Sequence, residues 1–204
     1  MRRVIERLTV SDAPEKELAE ATRRLEDYAE HLKSHPRRNR YEGFGETSVA
    51  NPEGQEGGGH FDYSPLIGLS NPLAPPITME SKAGKVHASV TFGSAYEGAP
   101  GCVHGGCVSA AFDEILGYAQ TFSGQPGMTG TLTIVYRSPT PIHTPLRFEA
   151  WTEKVEGRKV LCRGTLHAAD RLCAEASAIF VSLRPGRYED LVRERATRNA
   201  PDDA

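Results

Sequence analysis

Hydrophobic positions along this chain follow one period in its first part and another in the rest. Over residues 12–34, Leu18, Leu25 and Leu32 stand seven apart, with Ala21 and Tyr28 between them and charges elsewhere. This narrow stripe predicts a solvated helix lying on the domain or on a partner subunit, too short for a persuasive coiled coil. Asp12 with Glu15 fits a capping box, and Pro14 suits an early helical position. Residues 35–60 are rich in Pro, Arg, Gly and Glu, ending Gly54-Gln55-Glu56-Gly57-Gly58-Gly59-His60, which is linker composition. From about Phe61 the pattern changes to period two. Residues 65–76 carry too many prolines for an interior strand.

Ile77–Ser81 and Lys85–Phe92 read as two strands about an Ala83-Gly84 turn, the second alternating Val86, Ala88 and Val90 with His87, Ser89 and Thr91. Thr129–Arg137, Leu146–Val155, Lys159–Ala168 and Cys173–Leu183 follow as further strands, with hairpin turns at Glu156-Gly157 and Asp170-Arg171. Between the second and third strands lies a segment from Gly105 to about Phe122 that is apolar on nearly every face, the mark of a buried helix. A short charged helix follows Arg184-Pro185-Gly186. One buried helix among about six consecutive antiparallel strands predicts an α+β fold. The expected division is residues 1–60 as a helical extension and linker, 61–185 as the globular domain, and 186–204 as a charged tail.

Composition narrows the functional classes. The 204 residues are 38% hydrophobic and 25% charged, with a net charge of -3. No basic excess supports nucleic-acid binding. No apolar run approaches the roughly 18 residues of a membrane span. The basic start, Met1-Arg2-Arg3, is followed at once by acids rather than an apolar signal core, so a cytoplasmic location is expected. Cys102, Cys107, Cys162 and Cys173 match no zinc spacing and are read as reduced. Cys107 stands near a helix start, yet no local spacing gives it a histidine partner. No metal site and no cofactor are expected.

The chemistry concentrates in Val103-His104-Gly105-Gly106-Cys107 and, farther along the same helix, Asp113-Glu114. Amide groups at a helix start are free, and the helix dipole adds positive potential there. Glycine lets a ligand approach the backbone closely. A carboxylate on a buried helix is costly unless something needs it. Polarised donors and a carboxylate suit attack of water on a carbonyl.

These residues, with the Gly-rich entry Glu97–Gly106, Asp113, Met128-Thr129 through Tyr136-Arg137-Ser138-Pro139, and Lys154–Lys159, resemble the hotdog-fold acyl-CoA thioesterases of the PaaI type. The resemblance covers roughly residues 75–184 and is strongest to the mammalian long-chain acyl-CoA thioesterase branch that includes the carboxyl-terminal modulator protein. It implies an antiparallel sheet wrapped around a long central helix, and hydrolysis of acyl-CoA to CoA and a carboxylic acid. It assigns Asp113 as general base or nucleophile, the Gly105 N–H as holder of the thioester oxygen, His104 as support of that turn, and Thr129 as the group orienting water or the acid. A related branch carries Asn or Gln six residues before the His; here Gly98 stands there, and that role is unfilled. Glu114 is the rival acid. Lying about 100° round the helix from Asp113, it is expected not to face the same site. Arg137, Arg158 and Lys159 are candidate contacts to CoA phosphates.

Nine helical residues span ~13 Å, so Gly105 and Asp113 of one chain cannot serve one carbonyl. If both act, they come from two subunits, in a homodimer or a dimer of dimers. The competing readings are a hotdog hydratase or dehydratase, and a non-catalytic acyl-CoA-binding or interaction module.

Overall fold

The computed structural model describes residues 1–36, 64–68, 70–125, 127–184 and 186–198. The expected linker lies almost wholly outside these residues, as does the domain start at Phe61. In chain order the elements are α1 (Arg2–Thr9), α2 (Glu15–Leu32), β1 (Thr78–Lys82), β2 (Lys85–Val90), α3 (Gly105–Gln120), β3 (Gly127–Tyr136), β4 (Leu146–Glu156), β5 (Lys159–Ala168), β6 (Arg171–Ser182) and α4 (Arg187–Arg198).

Strands β1 to β6 form one antiparallel sheet in the order β1-β2-β4-β5-β6-β3. Alternation produces it: in β5, Val160, Cys162, Gly164, Leu166 and Ala168 are buried, while the residues between them are half-buried or exposed. Helix α3 lies on the face these residues share. It buries Val108, Ala111, Phe112, Ile115, Leu116 and Ala119, the i, i+3, i+4 stripe of a helix packed on one side. Phe112 meets Phe148 of β4 edge to face, with ring centroids 5.0 Å apart. Truncating such a buried phenylalanine costs about 3–5 kcal/mol. This is the α+β hotdog layout expected from the sequence, a sheet curled about one central helix.

Two details differ from expectation. The opposite face of α3, with Cys107, Ala110, Asp113, Glu114 and Gly117, is only half-buried in the single chain, so the helix is not enclosed on every side. The capping box at Asp12 and Glu15 does not form: Pro14 occupies the N-cap of α2, with no side-chain cap. Glu15 and Glu17 in the first turn favour that helix end through the dipole instead. The Leu18, Leu25 and Leu32 stripe is exposed and no residue of α2 is buried, the exposure expected of a solvated helix.

An additional helix, α1, is not among the expected elements. It is short, charged and without buried residues. Its anchorage comes from partners far away in sequence: Arg2 donates to the carbonyls of Gly68 and Ala74, and Glu6 accepts from the Ser94 amide.

Candidate active site

The start of α3 is built from three directions. His104 is the N-cap residue, and its Nδ1 accepts the Gly106 N–H at 3.0 Å. An acceptor Nδ1 leaves the ring proton of a neutral imidazole on Nε2. The His104 N–H donates to the Tyr96 carbonyl at 2.8 Å. From β3, the Tyr136 hydroxyl donates to the Gly105 carbonyl at 2.7 Å and shares a 2.8 Å hydrogen bond with the Ser109 hydroxyl. A Cβ on Gly105 would sit 3.2 Å from the Tyr136 oxygen, so glycine here permits that close approach. Among the described residues the Gly105 N–H has no partner, as expected for a first-turn amide.

Tyr136 is the site residue that pattern reading missed. It stands in the Tyr136-Arg137-Ser138-Pro139 motif, which gives it no role of its own; that role depends on the register of β3 beside α3. Gly98 also acquires a reason: a Cβ there would lie 2.8 Å from the His104 Cα. The Asn or Gln side chain of the related branch has no room in this loop.

Two turns along the helix, Asp113 Oδ1 accepts the Thr129 hydroxyl at 2.8 Å. The structure therefore joins Asp113 with Thr129, and Gly105 with His104 and Tyr136, but holds these two groups apart on one helix. Asp113 and Thr129 line a cavity of about 280 Å³ whose apolar wall includes Ile67, Met79, Tyr118 and Phe180.

Glu114 lines the same cavity, which overturns the expectation that the two acids face different sites. The angle between neighbouring residues on a helix does not decide this, because residues 64–67, β1 and β3 wrap the opening from both sides. Burial pushes the Glu114 carboxyl above the ordinary carboxylate range; a Ser64 hydroxyl at 3.4 Å pulls it back, and Asp113 reinforces the rise. Burial likewise raises the Cys107 thiol, so that cysteine is not an activated nucleophile.

The three basic candidates are dispersed. Arg137 pairs with Glu175 at 2.6 Å, close to the Gly105 end of β3. Arg158 donates twice to the Ser182 carbonyl, at 3.0 and 2.8 Å, and Ser182 is registered with Gly127 at the other end of β3. Lys159 opens β5 next to Arg158 and is exposed. Among the described residues, no group of three or more His, Cys, Asp or Glu is arranged to hold a metal ion.

A helix laid across a curled antiparallel sheet, with a free Gly105 amide at its start and a carboxylate farther along, defines a thioesterase-type hotdog. Comparison with known proteins agrees. Residues 100–175 match the Thioesterase superfamily model. A solved thioesterase superfamily protein is 34% identical, covering 89% of this chain and 86% of its own, with a TM-score of 0.75. The chain belongs to the thioesterase superfamily.

Among curated proteins, the acyl-coenzyme A thioesterase THEM4 of Xenopus laevis is 36% identical over 91 residues, 44% of this chain and 41% of that protein. THEM4 of Mus musculus is 34% identical over 91 residues, 44% of this chain and 39% of that protein. The matched part is thus about two fifths of the length of these curated relatives.

Proposed function

We propose that this protein is an acyl-CoA thioesterase that releases CoA and a free carboxylic acid. The observation that carries the reading is the Asp113–Thr129 pair, a carboxylate fixed by a hydroxyl at 2.8 Å on the wall of a largely apolar cavity. The similarity to proteins named acyl-coenzyme A thioesterases supports the same substrate class.

The acyl chain enters beside Ile67, Met79 and Phe180, bringing the thioester carbon near Asp113. Asp113 takes a proton from water as the water oxygen bonds to that carbon. The carbonyl oxygen becomes an oxyanion, which the Gly105 N–H of a second protomer stabilises. The tetrahedral centre collapses, the C–S bond breaks, and the proton from water passes to the departing CoA sulfur. Water and acyl-CoA become acid and thiol with no other reactant.

The second protomer follows from distance. Gly105 and Asp113 are eight positions apart, about 12 Å along the helix. An isologous dimer with antiparallel α3 helices brings each turn to the other chain's acid. Its surface is available: β3 is an edge strand, with Met128, Val135 and Tyr136 exposed. The half-buried face of α3 borders that strand, through the Thr129–Asp113 and Tyr136–Ser109 hydrogen bonds. The same pairing brings the Arg137 end of one β3 towards the Arg158 end of the other, where both can meet one CoA. Four free cysteines accord with a reducing, cytoplasmic compartment.

Release of free thiol from a series of acyl-CoAs, wild type beside Asp113→Asn, tests the chemistry. Turnover that survives the substitution refutes the assignment; acyl-CoA binding without turnover in the wild type favours a binding module. Mixed dimers test the geometry. Asp113→Asn and Gly105→Pro chains, the second lacking the amide hydrogen at a first helical position that tolerates proline, should each be inactive alone and recover about a quarter of wild-type activity when randomly mixed, because half the dimers then carry one intact site. No recovery in verified mixed dimers refutes the composite site.

A further inference from the structure

Helix α1 presents Arg2 and Glu6 one turn apart, on one face. Arg2 Nε donates to Ala74 O at 2.9 Å, and its Nη2 donates to Gly68 O at 2.7 Å and Asn71 O at 2.9 Å. The Glu6 carboxylate accepts the Ser94 N–H at 3.0 Å and the Ala95 N–H at 3.3 Å. Those amides open a short 3₁₀ turn, Ser94–Tyr96. The Tyr96 carbonyl then accepts the His104 N–H at 2.8 Å, one residue before Gly105. The Tyr96 hydroxyl donates to Leu73 O at 3.3 Å, within the loop that Arg2 grips. Both grips of α1 therefore converge on Tyr96, whose carbonyl fixes the N-cap of α3.

The fit around Glu6 is close. A Cβ at Gly93 would stand 2.5 Å from Glu6 Oε2, so glycine leaves the space the carboxylate fills. The Ser94 amide lowers the Glu6 carboxyl pKa as the largest influence, with further lowering from Ala95 and His143; partial burial opposes it. His143 also meets the Ser94 hydroxyl through Nε2 at 3.0 Å, tying the turn to the loop after β3.

We propose that Glu6 is a positioning residue for the thioester-polarising turn, acting on Gly105 through the Ser94–Tyr96 turn and the His104 amide. The first helix is then part of the active-site frame. This rests on the thioesterase reading for its kinetic arm but not for its structural one. Glu6 touches no reacting atom; it sets where the Gly105 N–H points. Small displacements of aligned groups are costly in rate, because the donor must meet the oxyanion and not merely the ground-state carbonyl.

The test uses full-length Glu6→Ala, Glu6→Gln and Gly93→Ala, the last displacing the carboxylate while keeping it. Glu6→Ala should lower kcat on an acyl-CoA about tenfold, with KM held within about twofold. Glu6→Gln, which keeps one acceptor oxygen, should fall between Glu6→Ala and wild type, and Gly93→Ala should resemble Glu6→Ala. Hydrogen exchange should show the Ser94, Ala95 and His104 amides losing protection, with β4 and β5 unchanged.

Unchanged kcat in Glu6→Ala overturns the proposal. So does protection lost evenly across the protein, or a fall in kcat that matches only the fraction unfolded. If the wild type hydrolyses no acyl-CoA, the thioesterase reading fails, and the exchange pattern alone decides the linkage from Glu6 to His104.

Discussion

The two ends of the candidate machinery on α3 are built on different principles. The turn at His104-Gly105 is a backbone device, held by the Tyr96 carbonyl, the His104 ring and the Tyr136 hydroxyl. The acid at Asp113 is a side-chain device, with a hydroxyl on one oxygen and an open cavity beside it. A backbone donor survives every substitution except proline and is otherwise only moved; a carboxylate is removed by many single substitutions. Damage to the turn should therefore be graded and damage to the acid abrupt.

The largest effect tests the abrupt end. Asp113→Asn keeps the shape and removes the base, and should lower kcat by about 10²–10⁴ in a thiol-release assay. Thr129→Ala leaves the base but frees its orientation, and should lower kcat about tenfold, the worth of one hydrogen bond to a charged group. Tyr136→Phe tests the graded end. It deletes the bonds to Gly105 and Ser109 yet leaves the Gly105 N–H in the chain, so kcat should fall about fivefold. A Tyr136→Phe loss as deep as that of Asp113→Asn would erase the distinction between the two ends.

The smallest effect concerns Glu114, and its sign is set by burial. Its carboxyl is raised above its ordinary 4.5 in the folded protein. Its contribution is most favourable below that value, where folded and unfolded forms are both protonated, and is lost as pH rises through the raised folded value. Glu114→Gln should flatten the fall of Tm above pH ~4.5 and raise Tm at pH 8 by about 2–4 °C. Thermal melts at pH 4 and pH 8 measure it; an equal shift at both would show that charge burial is not the cause.

Much of the fold was legible because its periodicities are strong. The β5 alternation gave residues 159–168, and the structure has that strand at Lys159–Ala168. The Gly-Gly pair marked the start of α3 at Gly105. The regularity of a stripe is no measure of its burial. The regular leucine stripe of α2 covers nothing within the described chain, whereas α3, with a less regular pattern, packs on four strands' worth of buried side chains. Nor could pattern find α1, whose eight residues carry no apolar stripe into the core.

Local spacing and residue chemistry alone gave the strands, the central helix and the presence of a glycine turn and an acid on that one helix, since each depends on neighbours a few positions away. The tertiary structure decided which groups meet: Tyr136 with Gly105, Thr129 with Asp113, Glu114 with the shared cavity, Glu6 with Ser94. Those meetings depend on strand register and on how loops close around the helix. Both are fixed by packing and hydrogen bonding between segments tens of residues apart, which no local pattern encodes.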